Sequence, residues 1–483
     1  MVTNHTDNSI EKARGIARAI DAAGGKTYFI GGFVRDRLLG APDGDAVANA
    51  DADAVANAGA VAVANADANA FADTDVDVEV HGVPVDTLRG ILEQFGKVLT
   101  VGKSFGVYQI RGFDIDIAVP RREKNTGRGH RDFEIYTDPF LGEEAAARRR
   151  DFTINALMQD VLTGEIVDCF GGQEDLKNGI IRHIDPESFV EDPLRVLRAA
   201  QFAARFEFKV ADETVCLCRS IDLSALPRER VTAELEKALC KGRKPSIFFE
   251  VLREMDQLDF WFPELVSLIG LPQDPIFHPE GDVWTHVMRA LDKAAGYRDR
   301  VEEPFRFMLV PLVHDLGKIE TTEEVNGRIH TYQHDKVGLP IASRFLHRLT
   351  NDASVIRYVM NMTELHMRPN TMAYAGSSIK KTNRLFDEAV SPYDLILFSA
   401  VDMSSEHYKG EREDNLKFLL QRLEIYKDYM DRPYVSGKDL IDAGLAPGEN
   451  FREILRYAHK LRLAGIPKEE ALKQVLSYAR KMS

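Results

Sequence analysis

Residues 26–40 read KTYFIGGFVRDRLLG and residues 75–82 read DVDVEVHG, and the pairing of these two stretches decides the fold of the first part of the chain. Lys26–Ile30 carries a short strand signal, and Gly31-Gly32 interrupts it before Val34–Leu39 takes up a helical pattern. A strand-to-helix turn leaves backbone N–H groups free at the helix start, which suits a phosphate, and glycine lets the backbone approach it. Gly31 and Gly32 are therefore candidate nucleotide-binding residues, with Arg35 as a charged or bracing contact. In the second stretch the period of two puts Asp75 and Asp77 on one face of a strand and Val76, Val78 and Val80 on the other. Two carboxylates so placed can hold Mg²⁺, activate a hydroxyl and stabilise a pyrophosphate leaving group. Glu79 shares their face and reads equally well as a rim charge. Asp114 and Asp116 repeat the spacing on a neighbouring strand, which makes Asp116 the candidate third acidic group.

Between the two stretches, about residues 42–73, the sequence is nearly all Ala, Asp, Asn and Val, with octads such as DAVANADA and DAVANAGA. It offers little to bury, so a weakly ordered excursion is expected. Further strand signals come at Val107–Arg111 and Asp114–Val119, and from about Pro193 the pattern turns helical, with little strand signal after residue 210. Leu194–Arg205, Val231–Leu239, Pro245–Met255 and Phe305–His314 are the clearest helices, Glu411–Asp431 reads as a helical connector, and Val435–Ser483 as a separate small helical unit.

At 483 residues the chain calls for several domains. No apolar run nears the roughly 20 residues that cross a bilayer, and the first residues lack the apolar stretch of a signal peptide, so no membrane partner and a cytoplasmic location are expected. The four cysteines follow no zinc or disulfide spacing and read as reduced structural thiols. A net charge of −14 speaks against nucleic acid as a single number, yet base concentrates around Arg121–Arg131, Arg148–Arg150 and Arg452–Lys481. Screening over about 8–10 Å lets such a local track hold RNA on an acidic protein.

Five motifs in order resemble one known family. GGFVRDRLLG with DVDVEVHG, then RRDFTINAL (149–157), DCFGGQEDL (168–176), EDPLRVLRAAQFAARF (191–206) and RERVTAELEKAL (228–239) are similar to class II tRNA nucleotidyltransferases and the related bacterial poly(A) polymerases. The resemblance implies an α+β protein with a polymerase-beta-like nucleotidyltransferase head at 10–180, a mostly α-helical neck at 181–275, a body at 276–410 and a helical tRNA-binding tail at 411–483. It implies tRNA, CTP and ATP as partners and Mg²⁺ as cofactor. It also implies triphosphate or ribose contacts for Arg150, Asp151 and Asn155, and base selection for Asp192 with Arg195, with Arg198 one turn further towards the triphosphate. Asp192 and Arg195, three apart on one helix face, would serve an intrahelical salt bridge as well. Pro120–Arg148 resembles the flexible loop of full CCA enzymes, with a plain solvated loop as the alternative. The insertion at 42–73 departs from the family pattern. An A-adding enzyme or a poly(A) polymerase is the near alternative.

A second constellation lies downstream. His314-Asp315 ends an apolar helix, with His286 before it and His334, His366 and Asp402 after it. The order resembles the HD phosphohydrolase superfamily over about residues 280–405, which implies these six as ligands of a divalent metal of unspecified identity. An active HD phosphohydrolase behind an inactive RNA-binding head is the alternative of a different class.

Overall fold

The structure, a computed structural model, describes residues 3–40, 76–101, 106–125, 133–403 and 409–482. The repeat at 42–73 and Asp75 lie outside the described residues. The chain divides into two compact units, residues 1–225 and 226–483.

The first unit is built on a sheet whose strands are β1 (Lys26–Ile30), β2 (Val76–His81), β3 (Val98–Val101), β4 (Val107–Ile110), β5 (Ile115–Ala118), β8 (Met158–Asp160) and β9 (Ile166–Val167), in the order β3-β4-β5-β2-β1-β8-β9. β2 and β5 run parallel, and the other neighbours pair antiparallel. Alternation explains the layering. Val76, Val78, Val80, Ile115 and Ile117 are buried on one face, and the helix Thr3–Ala22 packs on β1 and β2, burying Ile16 and Ile20. The opposite face carries Tyr28, Asp77, Glu79, Gln109 and Asp116. The chain turns helical at Leu194–Phe206, between the strands of the short parallel pair β10 (Ile180–Ile181) and β11 (Lys209–Val210).

Within Pro120–Arg148, read from the sequence as a loop, the described residues carry regular structure. β6 (Arg121–Asn125) and β7 (Phe133–Thr137) form an antiparallel hairpin, and Glu143–Arg148 is helical. FEIYT at 133–137 has the aromatic and β-branched character of a strand, and a partner of equal length pairs with it. Cys169 and Cys216 are exposed rather than packed structural thiols.

The second unit is helical, as its 3.6-residue periodicity requires, with starts fixed by side-chain caps at Asp282, Asp352, Ser391 and Ser436. Two elements add to the sequence reading here. The antiparallel hairpin of β12 (Glu323–Val325) and β13 (Arg328–His330) is strand where little strand was expected. Its strands are too short for a period-two signal, but Asn326-Gly327, both at positive φ, is the turn that short hairpins favour. The supposed connector, the helix Lys409–Asp431, packs on the helices Met367–Tyr374, Ile379–Glu388 and Pro392–Asp402 with Leu419 and Leu423 buried, so it belongs to the body. Residues 435–482 close their own small core around Leu440, Ile454, Ala471 and Val475. Among the described residues no helix is long and apolar enough to cross a membrane.

Candidate nucleotidyl-transfer site and histidine–aspartate centre

In the first unit, the parallel register of β2 and β5 sets Asp77 directly beside Asp116. Continuing the β1–β2 register brings Ile30, the residue before the glycine turn, level with Asp77. The two acids and the Gly31-Gly32 turn therefore lie at the same end of three neighbouring central strands. Gln109 Nε2 donates to Asp116 Oδ1 (2.6 Å) and fixes that carboxylate. Gly31 adopts φ +61°, and its carbonyl accepts the Arg35 N–H, which starts the helix Gly32–Gly40. Glu79 is not a rim charge. It is buried, accepts a hydrogen bond from His81 Nε2 (2.9 Å) and lies 3.5 Å from Arg150 Nη2. Burial pushes its pKa up, but His81 and Arg150 outweigh that and hold it below the usual value.

The remaining nucleotide candidates form a buried chain of contacts. Arg205 Nη2 reaches Asp36 Oδ2 (3.1 Å), and Arg35 Nε donates to Asp36 Oδ1 (2.7 Å). Arg35 Nη1 then donates to Asn155 Oδ1 (2.5 Å), Asn155 Nδ2 to Asp151 Oδ1 (2.9 Å), and Arg198 Nε to Asp151 Oδ2 (2.7 Å). The Arg35 guanidinium also lies over the rings of Phe202 and Phe206 at 5.0 and 4.8 Å. Of the two roles open to Arg35, the structure displays the brace. Asp192 was expected on the helix face but precedes the helix Leu194–Phe206, and its Oδ1 accepts the Leu194 N–H (3.1 Å). Pro193 explains the boundary, since the residue before a proline is steered away from helical angles. Arg195 projects from the first turn and donates to the carbonyls of Ser188 (2.6 Å) and Arg149 (2.7 Å). Arg150 Nη1 donates to the Asn155 carbonyl (3.1 Å).

In the second unit, all six expected metal residues converge from helix ends. His286 lies in the first turn of Val283–Ala295, and His314-Asp315 follows Pro304–Val313. His334 opens His334–Val337, His366 joins Ala353–Leu365 to Met367–Tyr374, and Asp402 closes Pro392–Asp402. His286 Nε2 lies 3.3 Å from Asp402 Oδ1 and 3.6 Å from Asp315 Oδ2; His314 Nε2 lies 3.4 and 3.3 Å from the same atoms. On the far side of Asp315, its Oδ1 is 3.3 Å from His334 Nε2, which is 3.2 Å from His366 Nε2. Asp315 thus bridges two groups of donors.

The tautomers follow from the outer partners. His314, His334 and His366 each direct Nδ1 at the carbonyl three residues back, those of Pro311, Thr331 and Thr363 (2.9, 2.8 and 2.7 Å). A carbonyl only accepts, so Nδ1 carries a proton and Nε2 is the nitrogen left facing the centre. His286 does the same through Glu280 Oε1 (2.8 Å). His334 Nε2 and His366 Nε2 face each other at 3.2 Å, a pair that can share a proton or hold an ion between them. His286 Nε2 and His314 Nε2 are buried without a hydrogen bond of good geometry and face the carboxylates of Asp315 and Asp402, so the donor set fits divalent ions. Burial opposes charge on His314, but Asp315 and Asp402 outweigh it and push its pKa up to about 10, while burial and the neighbouring His314 lower His366 to about 4.

Sequence reasoning missed the supports. Glu280 accepts from both His278 Nδ1 (3.0 Å) and His286, and Lys318 Nζ is held by Asp315 Oδ2 (2.8 Å) and Gln273 Oε1 (2.9 Å). The signal was present in HPEGD at 278–282, which places a second histidine and a carboxylate just before the helix of His286.

The Poly A polymerase head domain family matches residues 27–182, and the family described as "Probable RNA and SrmB- binding site of polymerase A" matches residues 208–269. The multifunctional CCA protein of Halorhodospira halophila is 32% identical over 463 residues, covering 92% of this chain and 98% of that protein. That of Tolumonas auensis is 35% identical over 360 residues, covering 71% of this chain and 77% of its own length. Among solved structures, the Bacillus stearothermophilus CCA-adding enzyme in complex with CTP is similar in fold, with a TM-score of 0.62 at 20% identity over 98% of both chains. The Thermotoga maritima CCA-adding enzyme complexed with tRNA gives a TM-score of 0.60 at 20% identity over 96% of this chain and 94% of that one. Kinship at this level across almost the whole length means that the chain belongs to the class II CCA-adding enzyme family.

Proposed function

We propose that this protein is a template-independent nucleotidyltransferase that adds C, C and A from CTP and ATP to the 3′ end of tRNA. The observation that carries the reading is the register that sets Asp77 against Asp116 beside the Gly31-Gly32 turn. Asp75, two residues before Asp77, completes the set from the sequence. Magnesium held there would supply Lewis acidity for the attacking 3′-hydroxyl and the departing pyrophosphate. The helix start after Gly31 offers backbone N–H groups to the triphosphate, and Arg150, Asp151, Asn155 and Arg198 form the wall beside it. Asp192 and Arg195, at the start of a helix rooted in that wall, read the base edge of the incoming nucleotide in place of a template. The test follows CTP and ATP incorporation into tRNA lacking one, two or three terminal nucleotides. Ordered C, C, A addition is expected; incorporation of ATP alone would point to an A-adding enzyme or a poly(A) polymerase. Asp75→Ala combined with Asp77→Ala should abolish incorporation, and activity surviving that change would sink the assignment.

The histidine–aspartate centre supports a second activity, metal-dependent hydrolysis of phosphate esters. The clustering of His286, His314, His334 and His366 around the bridging carboxylate of Asp315 favours it. Divalent ions bound there would supply Lewis acidity toward a phosphoryl group and an activated water. Loss of His314 and Asp315 should remove hydrolysis and spare incorporation.

A further inference from the structure

We propose that Glu79 is a positioning residue of the nucleotidyl-transfer site: its carboxylate holds the Arg150 guanidinium against the Gly31 turn, aimed at the phosphates of the incoming nucleotide. The inference rests on the transferase reading above and adds to it a residue that has so far had only a structural place.

Glu79 lies on the face of β2 that carries Asp77, two residues further along and so about 7 Å away. Its two oxygens have separate tasks. Oε1 accepts from His81 Nε2 (2.9 Å), and the His81 ring is itself steadied by Tyr28, with centroids 5.4 Å apart and planes at 89°. Oε2 faces Arg150 Nη2 at 3.5 Å. Arg150 Nη1 donates in turn to the Asn155 carbonyl (3.1 Å), and a Cβ on Gly31 would come 3.9 Å from that same nitrogen. The guanidinium is thus held by a carboxylate on one nitrogen and a carbonyl on the other, beside the glycine turn. The root of the arginine is anchored as well: Glu143, which opens the helix leading to Arg149-Arg150, accepts from the Tyr28 hydroxyl (2.8 Å). By charge alone, a carboxylate only 8% exposed next to a polyanion's site should weaken binding. What offsets that cost is the fixed plane of the Arg150 fork, which recognises phosphate through paired N–H groups. The two effects have opposite signs. Neutralising Glu79 tightens triphosphate binding if only its field matters, and weakens it if its hold on Arg150 matters.

The test uses the full-length protein. Equilibrium dialysis of CTP and of cytidine, both in EDTA, gives a ratio of affinities that isolates the phosphates. Glu79→Gln, nearly the same in shape, should lower that ratio about tenfold. Glu79→Asp keeps the charge but draws it back by one methylene; it should lower the ratio about threefold, and it decides alone if Glu79→Gln does not fold. In incorporation assays Glu79→Gln should raise KM for CTP and for ATP alike, because both carry the same phosphates, and leave KM for tRNA within about twofold. In an Arg150→Ala background the Glu79 change should move the ratio by less than about twofold, since a residue that acts through Arg150 then has nothing left to hold. A ratio unchanged or raised by the Glu79 variants, or a full loss that persists without Arg150, would overturn the role. If the wild type incorporates neither nucleotide while Glu79 still governs the ratio, the positioning role stands and the transferase reading falls. Normal incorporation with an unmoved ratio does the reverse.

Discussion

Asp151 ties the first unit together. Its two oxygens accept from Asn155 and from Arg198, and the chain of contacts continues through Arg35 and Asp36 to Arg205, joining the glycine-turn helix to the helix Leu194–Phe206. Asp151→Asn keeps the shape but removes the charge, so it should cost about 1–3 kcal/mol in denaturant unfolding at pH 7. Burial raises the Asp151 pKa, but Arg198 and the Asn155 hydrogen bond hold it below the ordinary 3.8. A depressed carboxylate contributes its stability above the unfolded value and loses it as pH falls through the folded one. The gap between wild type and variant should therefore stay flat from about pH 5 to 8 and narrow only as pH falls below the ordinary value. A gap that widens in acid would contradict this role. The brace was beyond sequence reasoning because it joins residues far apart in the chain, Arg35 with Asn155 and with Phe202, whereas Asp77 needed only the spacing of its own strand.

At the scale of elements, what the sequence revealed was whatever depends on local period. The strands β1, β2, β4 and β5 and the helices at 194–206, 246–254 and 304–313 came through because one face of each meets a core. Short elements stabilised by their partners did not: β6–β7 and β12–β13 owe their form to strand pairing, and the helix read at 411–431 came through as a helix but not in its packing on the body helices. The six metal residues were legible as an ordered set, yet their two-group geometry depends on a contact that spacing does not encode. The Gly317 turn lies against the His334–Val337 turn so closely that a Cβ on Gly317 would collide with the His334 carbonyl and the Gly338 amide. Gly317→Ala must therefore push away the turn that carries His334, leaving the donors His286, His314 and Asp402 in place. Metal content measured by elemental analysis should fall relative to wild type, with most hydrolysis lost and incorporation kept. Metal content unchanged from wild type would mean that the turn shifts without moving the imidazole.

Over the whole molecule, the residues proposed for the triphosphate lie before 225 and those proposed for the divalent ions of the histidine–aspartate centre lie after 226. A ligand that binds only the folded form stabilises by an amount set by its concentration over its Kd, about 2.7 kcal/mol at a hundredfold excess. That gain should be confined to the opening reactions that dissolve the site. Hydrogen exchange of the full-length protein can separate them. Mn²⁺ should slow exchange at the ends of Val283–Ala295, Pro304–Val313, Ala353–Leu365 and Pro392–Asp402, where the ligands lie, and leave β1, β2 and β5 at their ligand-free rates. CTP with Mg²⁺ should do the reverse, slowing β2, β5 and the helix Gly32–Gly40. The metal effect should also grow with pH. The His314 imidazole, pushed up to about 10 by its carboxylate neighbours, must lose its proton before Nε2 can bind an ion, so each step toward alkaline pH favours the metal over the proton. Protection by Mn²⁺ that spreads equally over both units would show that the two sites share one opening reaction, contrary to a design in which each unit closes over its own chemistry.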